Sequence, residues 1–138
     1  MTRYLLDTNV ISEVRRSRPH PGVARWFDHV RSRDLYLSAL TVGEIRLGIL
    51  RLAAREPDRA VALEEWVAQL ETGYADRILD VTPPVARRWA ELNRPRSLPV
   101  VDALIAATAV EHGAVLVTRN VRDFDGVAVE LLNPFDAE

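Results

Sequence analysis

Neither cysteine nor lysine occurs anywhere in the 138 residues. Without cysteine there is no disulfide framework, no thiolate zinc site and no sulfur nucleophile. Without lysine, three ways of handling phosphate in an α/β protein fall away. The spacing from Gly43 to Gly48 is that of a phosphate-binding loop, but Ile49-Leu50 stands where G-K-[ST] would need its Lys and hydroxyl. A phosphatase that forms an aspartyl-phosphate at a D-x-D motif needs a second acid where Asn9 stands, and a lysine as well. A phospho-accepting receiver domain also needs a lysine beside its acids. No G-x-S-x-G elbow is present, and His20, His29 and His112 have no useful spacing to one another or to a nucleophile. No apolar run approaches the length of a membrane span, and the N-terminus lacks the basic and apolar regions of a signal peptide. A cytoplasmic protein without membrane association is therefore expected.

The chain is 48% hydrophobic and 28% charged, a balance that fits a folded globular chain rather than a disordered one. Its length suits one domain over residues 1–138, with an ordinary core. A net charge of −2 argues against a generally basic nucleic-acid binder. The charge is nevertheless uneven. Residues 15–33 hold six arginines (15, 16, 18, 25, 31 and 33) against Asp28 alone, and residues 87–96 hold four against Glu91 alone. Both segments are candidates for phosphate contacts, although ordinary solvated helix faces would look the same.

Apolar triplets alternate with helical patterns along the whole chain. Tyr4-Leu5-Leu6 reads as a buried strand, followed by a helix from about Asn9 to Ser17 with Thr8 or Asn9 as its cap. Pro19 and Pro21 punctuate the loop before a second helix, Val23 to about Arg31. Leu35-Tyr36-Leu37 is a second strand, and it leads into a helix that turns Ile45, Ile49 and Leu52 inward. Pro57 opens another helix, with Leu63, Trp66, Val67 and Leu70 on one face, ending at Gly73. Residues 78–81 form a third strand, and Thr82-Pro83 caps and starts a helix that aligns Val85, Trp89 and Leu92. A helix from Val100 to His112 ends at Gly113, strand four spans 114–117, and strand five spans 127–131. Strands alternating with helices imply an α/β fold, a parallel sheet of about five strands with helices on both faces.

In such a sheet, right-handed crossovers put every strand's carboxyl end and the following helix N-terminus on one edge. Asp7 closes strand one. Glu44 lies early in the helix after strand two. Asp102 is in the first turn of the helix before strand four, and Asp123 follows that strand. Each acid has a local explanation. Asp7 could cap its helix, Thr41-x-x-Glu44 fits a capping box, Asp102 suits a helix N-terminus, and Asp123 suits a solvated turn. Together the four carboxylates would repel one another, and a cation would relieve that repulsion. An all-oxygen donor set selects a hard ion, Mg²⁺ or Mn²⁺, over zinc.

Four motifs in order, Leu6-Asp7-Thr8-Asn9-Val10-Ile11-Ser12, Glu44, residues 102–109 (DALIAATA) and Thr118-Arg119-Asn120-x-x-Asp123-Phe124, resemble those of PIN-domain ribonucleases. Within that superfamily the chain is most similar to the VapC toxins of bacterial type II toxin–antitoxin pairs. The resemblance spans essentially the whole chain. It implies a three-layer PIN-like sandwich and a Mg²⁺- or Mn²⁺-dependent endoribonuclease that acts on RNA. It also implies a homodimer and a small cognate antitoxin that silences it. By the resemblance, Asp7 and Asp102 most directly hold the metal and Glu44 completes the group. Relatives place the fourth acid where either Asn120 or Asp123 stands; here only Asp123 is acidic. Thr118 and Asn120 would orient that loop, and Asn9 would hydrogen-bond Asp7. The rival readings are a catalytically silent PIN-like module that binds RNA or protein, and a structure-specific DNA nuclease.

Overall fold

Alternation of apolar side chains along two central strands decides the architecture. In the computed structural model, which describes residues 1–136, β1 (Tyr4–Leu6) sends Leu5 to one side of the sheet and Leu6 to the other. Strand β4 (Val115–Val117) does the same with Leu116 and Val117. Successive strand side chains point to opposite faces, so a strand apolar at every position must be covered on both. One face packs Leu6 and Val117 with Leu37, Val10, Ile49 and Val67; the other packs Leu5 and Leu116 with Ile105, Ala106 and Ala109.

The first face is covered by α1 (Thr8–Val14), α2 (Pro21–His29), α3 (Ala39–Ala53) and α4 (Pro57–Gly73), the second by α5 (Pro83–Asn93) and α6 (Val100–Glu111). Helix α6 is the most enclosed. Its run of Ala103, Ala106, Ala107 and Ala109 is fully buried, and these small side chains let it lie close to the sheet. With β2 (Leu35–Ser38), β3 (Ile78–Leu79) and β5 (Leu131–Leu132), the strands form one parallel sheet in the order β3-β2-β1-β4-β5. From β1 the chain winds outward through β2 and β3, then crosses back to β4 on β1's other side. The direction of winding therefore reverses between β1 and β4, and ligands of open α/β sheets bind outside the carboxyl ends at such a switch point.

Several boundaries differ from the sequence reading, each for a local reason. Helix α1 is capped by Asp7, whose side chain accepts from the Thr8 N–H, so neither Thr8 nor Asn9 is the cap; the helix ends at Val14. Helix α2 begins at Pro21 rather than Val23, because His20 caps it through the Gly22 N–H. A 3₁₀ turn, Ser32–Asp34, precedes β2. Strand β3 stops at Leu79. Strand β5 is Leu131–Leu132 rather than residues 127–131, because Val127 and Val129 spend their N–H groups within the loop, on Phe124 O and Val127 O. Helix α3 is capped by Ser38 and not by a Thr41–Glu44 box: Ser38 Oγ accepts from Leu40 N at 3.1 Å, and the buried Thr41 hydroxyl has no partner among the described residues.

Candidate active site at the β1–β4 edge

Backbone pairing carries β1 one residue beyond its last strand position, since Asp7 N donates to Val117 O at 2.9 Å. That bond seats Asp7 at the switch point itself, next to Thr118 at the end of β4. Asp7 is 7% exposed, and both of its oxygens are engaged. Oδ1 accepts from Thr8 N (2.8 Å), while Oδ2 accepts from Thr118 Oγ1 (2.8 Å) and, at the long limit, from Asn9 Nδ2 (3.4 Å). The capping role of Asp7 is real but uses only one of its oxygens. The other faces a hydroxyl supplied from 111 residues away.

Around it the remaining acids arrive from separate segments. Glu44 is exposed on the second turn of α3, and its Oε1 accepts from Thr8 Oγ1 at 2.7 Å. Asp102 is half-buried in the first turn of α6 and has no hydrogen-bond or ion-pair partner among the described residues. Asp123 is exposed on a 3₁₀ turn, Val121–Phe124. Arg96 Nη2 holds that turn by donating to the carbonyls of Asp123 (2.9 Å) and Asp125 (3.0 Å).

The electrostatics bind the four together. Burial pushes the Asp102 carboxyl above its ordinary pKa, and the negative charges of Asp7, Glu44 and Asp123 push it further. None of the four takes part in an ion pair among the described residues, although the chain carries 18 arginines. Nor do three His, Asp or Glu side chains among the described residues stand close enough together to ligate an ion as they are. The arrangement is a set of acids that sense one another across an open edge, with Asp7 locked and with Glu44 and Asp123 at the solvent side.

The supporting residues divide the work unequally. Asn9 bridges the two strand ends: its Nδ2 reaches Asp7 and Thr118, and its Oδ1 accepts from Arg119 N at 3.1 Å. Thr118 is fully buried, donates to Asp7 and accepts from Asn120 N at 3.1 Å. Among the described residues, Asn120 enters this network through its backbone only. Two residues gain roles that the sequence reading did not give them. Thr8, read as a possible cap, is the hydroxyl that ties Glu44 to the Asp7 loop; its place beside the acid was the available signal. Arg96, read as a candidate phosphate contact, is a clamp on the Asp123 turn, and no periodicity could have shown that. Several other arginines of the basic segments are likewise engaged. Arg16 pairs with Glu13, Arg88 pairs with Glu91 and Glu111, and Arg15 lies over the Trp66 ring.

The raised Asp102 pKa carries a stability consequence. A carboxyl whose folded pKa lies above its unfolded one favours folding while protonated, and that contribution is lost as the pH rises through the folded value. In EDTA at neutral pH the ionised Asp102 is therefore a net cost. Asp102→Asn is expected to melt higher than wild type at pH 7, with the gap closing as the pH falls through the raised native value and the carboxyl becomes protonated. Thermal denaturation across a pH series checks this. A lower melting temperature for the variant at pH 7 would mean that interaction with the α6 dipole outweighs repulsion.

Comparison with known proteins now adds a lineage to this geometry. A family model described as PIN domain matches residues 4–130. The toxin FitB of Neisseria gonorrhoeae is 36% identical over 138 residues, covering 95% of this chain and 97% of the relative. The VapC ribonuclease Y4jK of Sinorhizobium fredii is 32% identical over 137 residues, covering 96% of this chain and 97% of the relative. Among solved structures, FitAB bound to an IR36 DNA fragment superposes with a TM-score of 0.87 at 36% identity, covering 98% of this chain and 97% of that one.

Proposed function

The chain belongs to the PIN-domain family, and from that premise we propose that it is a divalent-metal-dependent endoribonuclease, the toxin of a toxin–antitoxin pair, with residues 1–138 as its single domain. The observation that carries this reading is the set of four carboxylates at the switch point, none of them paired with an arginine among the described residues. Relatives of this length named toxin and ribonuclease support it.

The donor chemistry fits a hard cation. All four groups are oxygen anions, no imidazole or thiolate is among them, and their mutual repulsion is what a dication relieves. Asp7 and Asp102 are the groups to hold Mg²⁺ or Mn²⁺ most directly, with Glu44 and Asp123 closing from the exposed side. Bound there, the ion would supply Lewis acidity, acidifying water near neutral pH and stabilising charge on phosphoryl oxygens. The remaining chemistry belongs to this chain. Thr118 and Asn9 hold the Asp7 carboxylate in one orientation. Glu44 or Asp123, exposed and able to exchange protons with solvent, accepts the proton of the attacking water. In-line attack forms the new P–O bond as the P–O3′ bond breaks, leaving a 5′-phosphate and a 3′-oxygen that takes a proton from solvent to become the 3′-hydroxyl.

A cleft of about 220 Å³ between α1, α3 and α4, lined by Ile45, Ile49, Leu63 and Trp66, opens beside Glu44. Its apolar walls suit one face of an amphipathic helix, the mode by which a small antitoxin would grip this edge of the toxin. Exposed Leu47 and Leu50 on α3 offer apolar surface for the homodimer that belongs to the same reading.

The test is direct. Purified protein free of its inhibitor should cleave single-stranded RNA in Mg²⁺ or Mn²⁺, stop in excess EDTA and resume when either ion is returned. Cleavage that persists in EDTA, or that only Zn²⁺ restores, would refute the metal assignment. An intact, folded protein that binds RNA without ever cutting it would be a silent PIN module.

A further inference from the structure

On the β5 side of the acids lies a second feature, a polar cleft of about 500 Å³ between the loop after β4 and the turn after β5. We propose that this cleft is a nucleotide subsite, where Arg119 stacks a base of single-stranded RNA and Arg122 meets its phosphate, next to the bond that the acids address. The proposal rests on the nuclease reading above and adds to it a place for the substrate strand.

The floor of the cleft is already built. The Arg119 guanidinium lies over the Phe135 ring, 4.6 Å from its centroid, and makes no ion pair among the described residues. Its backbone is pinned from two sides: Arg119 N donates to Asn9 Oδ1 (3.1 Å) and Arg119 O accepts from Asn133 Nδ2 (3.5 Å). Asn133 Oδ1 in turn accepts from Phe135 N (3.0 Å), so one asparagine ties the loop to the turn that carries the ring. The result is an exposed guanidinium seated over an aromatic support. RNA bases stack on guanidinium planes once a single strand has splayed them out. A guanidinium ordered in advance loses little freedom when a base arrives.

The cleft's other walls carry Arg122 and His20, together with the acids Asp123 and Asp136. Arg122 is exposed and has no side-chain partner among the described residues, unlike Arg16, Arg88 and Arg96. Arg122 and Asp123 both line the cleft, which puts this cation where the cleft runs into the acid cluster. His20 packs its ring against Phe135 at 5.3 Å. Its Nδ1 accepts the Gly22 N–H (3.1 Å), which leaves Nε2–H as the ring's donor for a base edge. Asn9 joins the two sites physically, since the side chain that receives Arg119 N also reaches Asp7. A nucleotide held on Arg119 is thus registered against the acid that the mechanism depends on most.

The experiment measures binding without cleavage. In an Asp7→Asn background with Mg²⁺ present, the affinity of a fluorescein-labelled single-stranded RNA is read by anisotropy at several salt concentrations. Adding Arg119→Ala should weaken binding roughly tenfold. Arg119→Lys should recover little of it, because the charge returns without the plane. Adding Arg122→Ala should weaken binding about equally for every RNA sequence and make the salt dependence shallower by about 0.7 in the log–log slope. Thermal melts establish that each variant is folded. Wild-type cleavage of RNA combined with undiminished binding by the Arg119→Ala and Arg122→Ala variants overturns the subsite and leaves the nuclease reading standing. Undiminished RNA binding with weakened capture of the antitoxin would make the cleft a protein contact, and overturns the proposal as well. An Asp7→Asn protein that does not bind RNA, with a wild type inert toward RNA in Mg²⁺, removes both.

Discussion

Asp7→Asn is expected to lower RNA cleavage by about 10³-fold or more while leaving the fold intact. The substitution removes one unit of negative charge from the group best placed to hold a dication, and the electrostatic stabilisation lost is several kcal/mol, with each ~1.4 kcal/mol worth tenfold. Its structural cost is small. The asparagine carbonyl can still accept the Thr8 N–H that Asp7 Oδ1 now receives at 2.8 Å, so the cap of α1 survives. The amide nitrogen then faces the Thr118 oxygen, which exchanges one hydrogen bond for another rather than leaving a void. Asp102→Asn should be as damaging to cleavage, and its side chain has no hydrogen bond to lose among the described residues. Single-turnover cleavage of a labelled RNA, beside circular-dichroism melts of each variant, is the measurement. Wild-type turnover in either variant would mean that the reaction is not centred on these acids.

The second large effect is expected at a residue that never meets the substrate. Thr118→Val keeps the shape of a fully buried side chain but deletes the hydroxyl that donates to Asp7 Oδ2 at 2.8 Å and accepts from Asn120 N at 3.1 Å. A hydrogen bond to a charged acceptor is lost and a loop N–H loses its partner, so stability should fall by about 1–3 kcal/mol. More telling is the effect on Asp7. With only the weak 3.4 Å contact from Asn9 left on Oδ2, the carboxylate is free to turn, and both Mg²⁺ affinity and cleavage should fall about 10–100-fold. Thr118→Ser retains the hydroxyl and should stay close to wild type in both. A simple packing role predicts the opposite order, with valine, the closer match in shape, tolerated better than serine. A Mg²⁺ titration of cleavage for the two variants separates the alternatives.

Much of the candidate site is legible in the sequence alone, and the reasons lie in particular residues. Asp7 stood out because it terminates an apolar triplet and precedes a helical pattern. Asp102 stood out because it opens the apolar, small-residue run of α6. Both are local patterns, written within about ten residues. Glu44 was half-legible. The spacing Thr41-x-x-Glu44 suggested a cap, yet Ser38 holds that position, and Glu44 is tied instead to Thr8 across 36 residues. Arg96 was read for its charge, whereas its guanidinium is spent on two carbonyls of a distant turn. Residues 127–131 looked like a strand because of their β-branched side chains. Loop hydrogen bonds at Val127 and Val129 left only Leu131–Leu132 to pair with β4.

What the sequence by itself determined is therefore the set of elements and the available chemistry. Apolar period, proline and glycine punctuation and capping residues act over a single turn or strand, so the order of strands and helices follows from them directly. The absence of lysine and cysteine excludes thiolate and lysine chemistry, and the acids fall at strand ends and helix starts. Only the tertiary structure decided which of those acids meet and what holds them. The strand order β3-β2-β1-β4-β5 puts Asp7 beside Thr118 and makes the β1–β4 crevice the place where Asp102 feels Asp7, Glu44 and Asp123. The same order decided which arginines are clamps and which, like Arg122, have no side-chain partner among the described residues. The physical reason is range: a hydrogen bond or a Coulomb interaction between segments a hundred residues apart depends on where the sheet brings them, and it leaves no periodic trace in either segment.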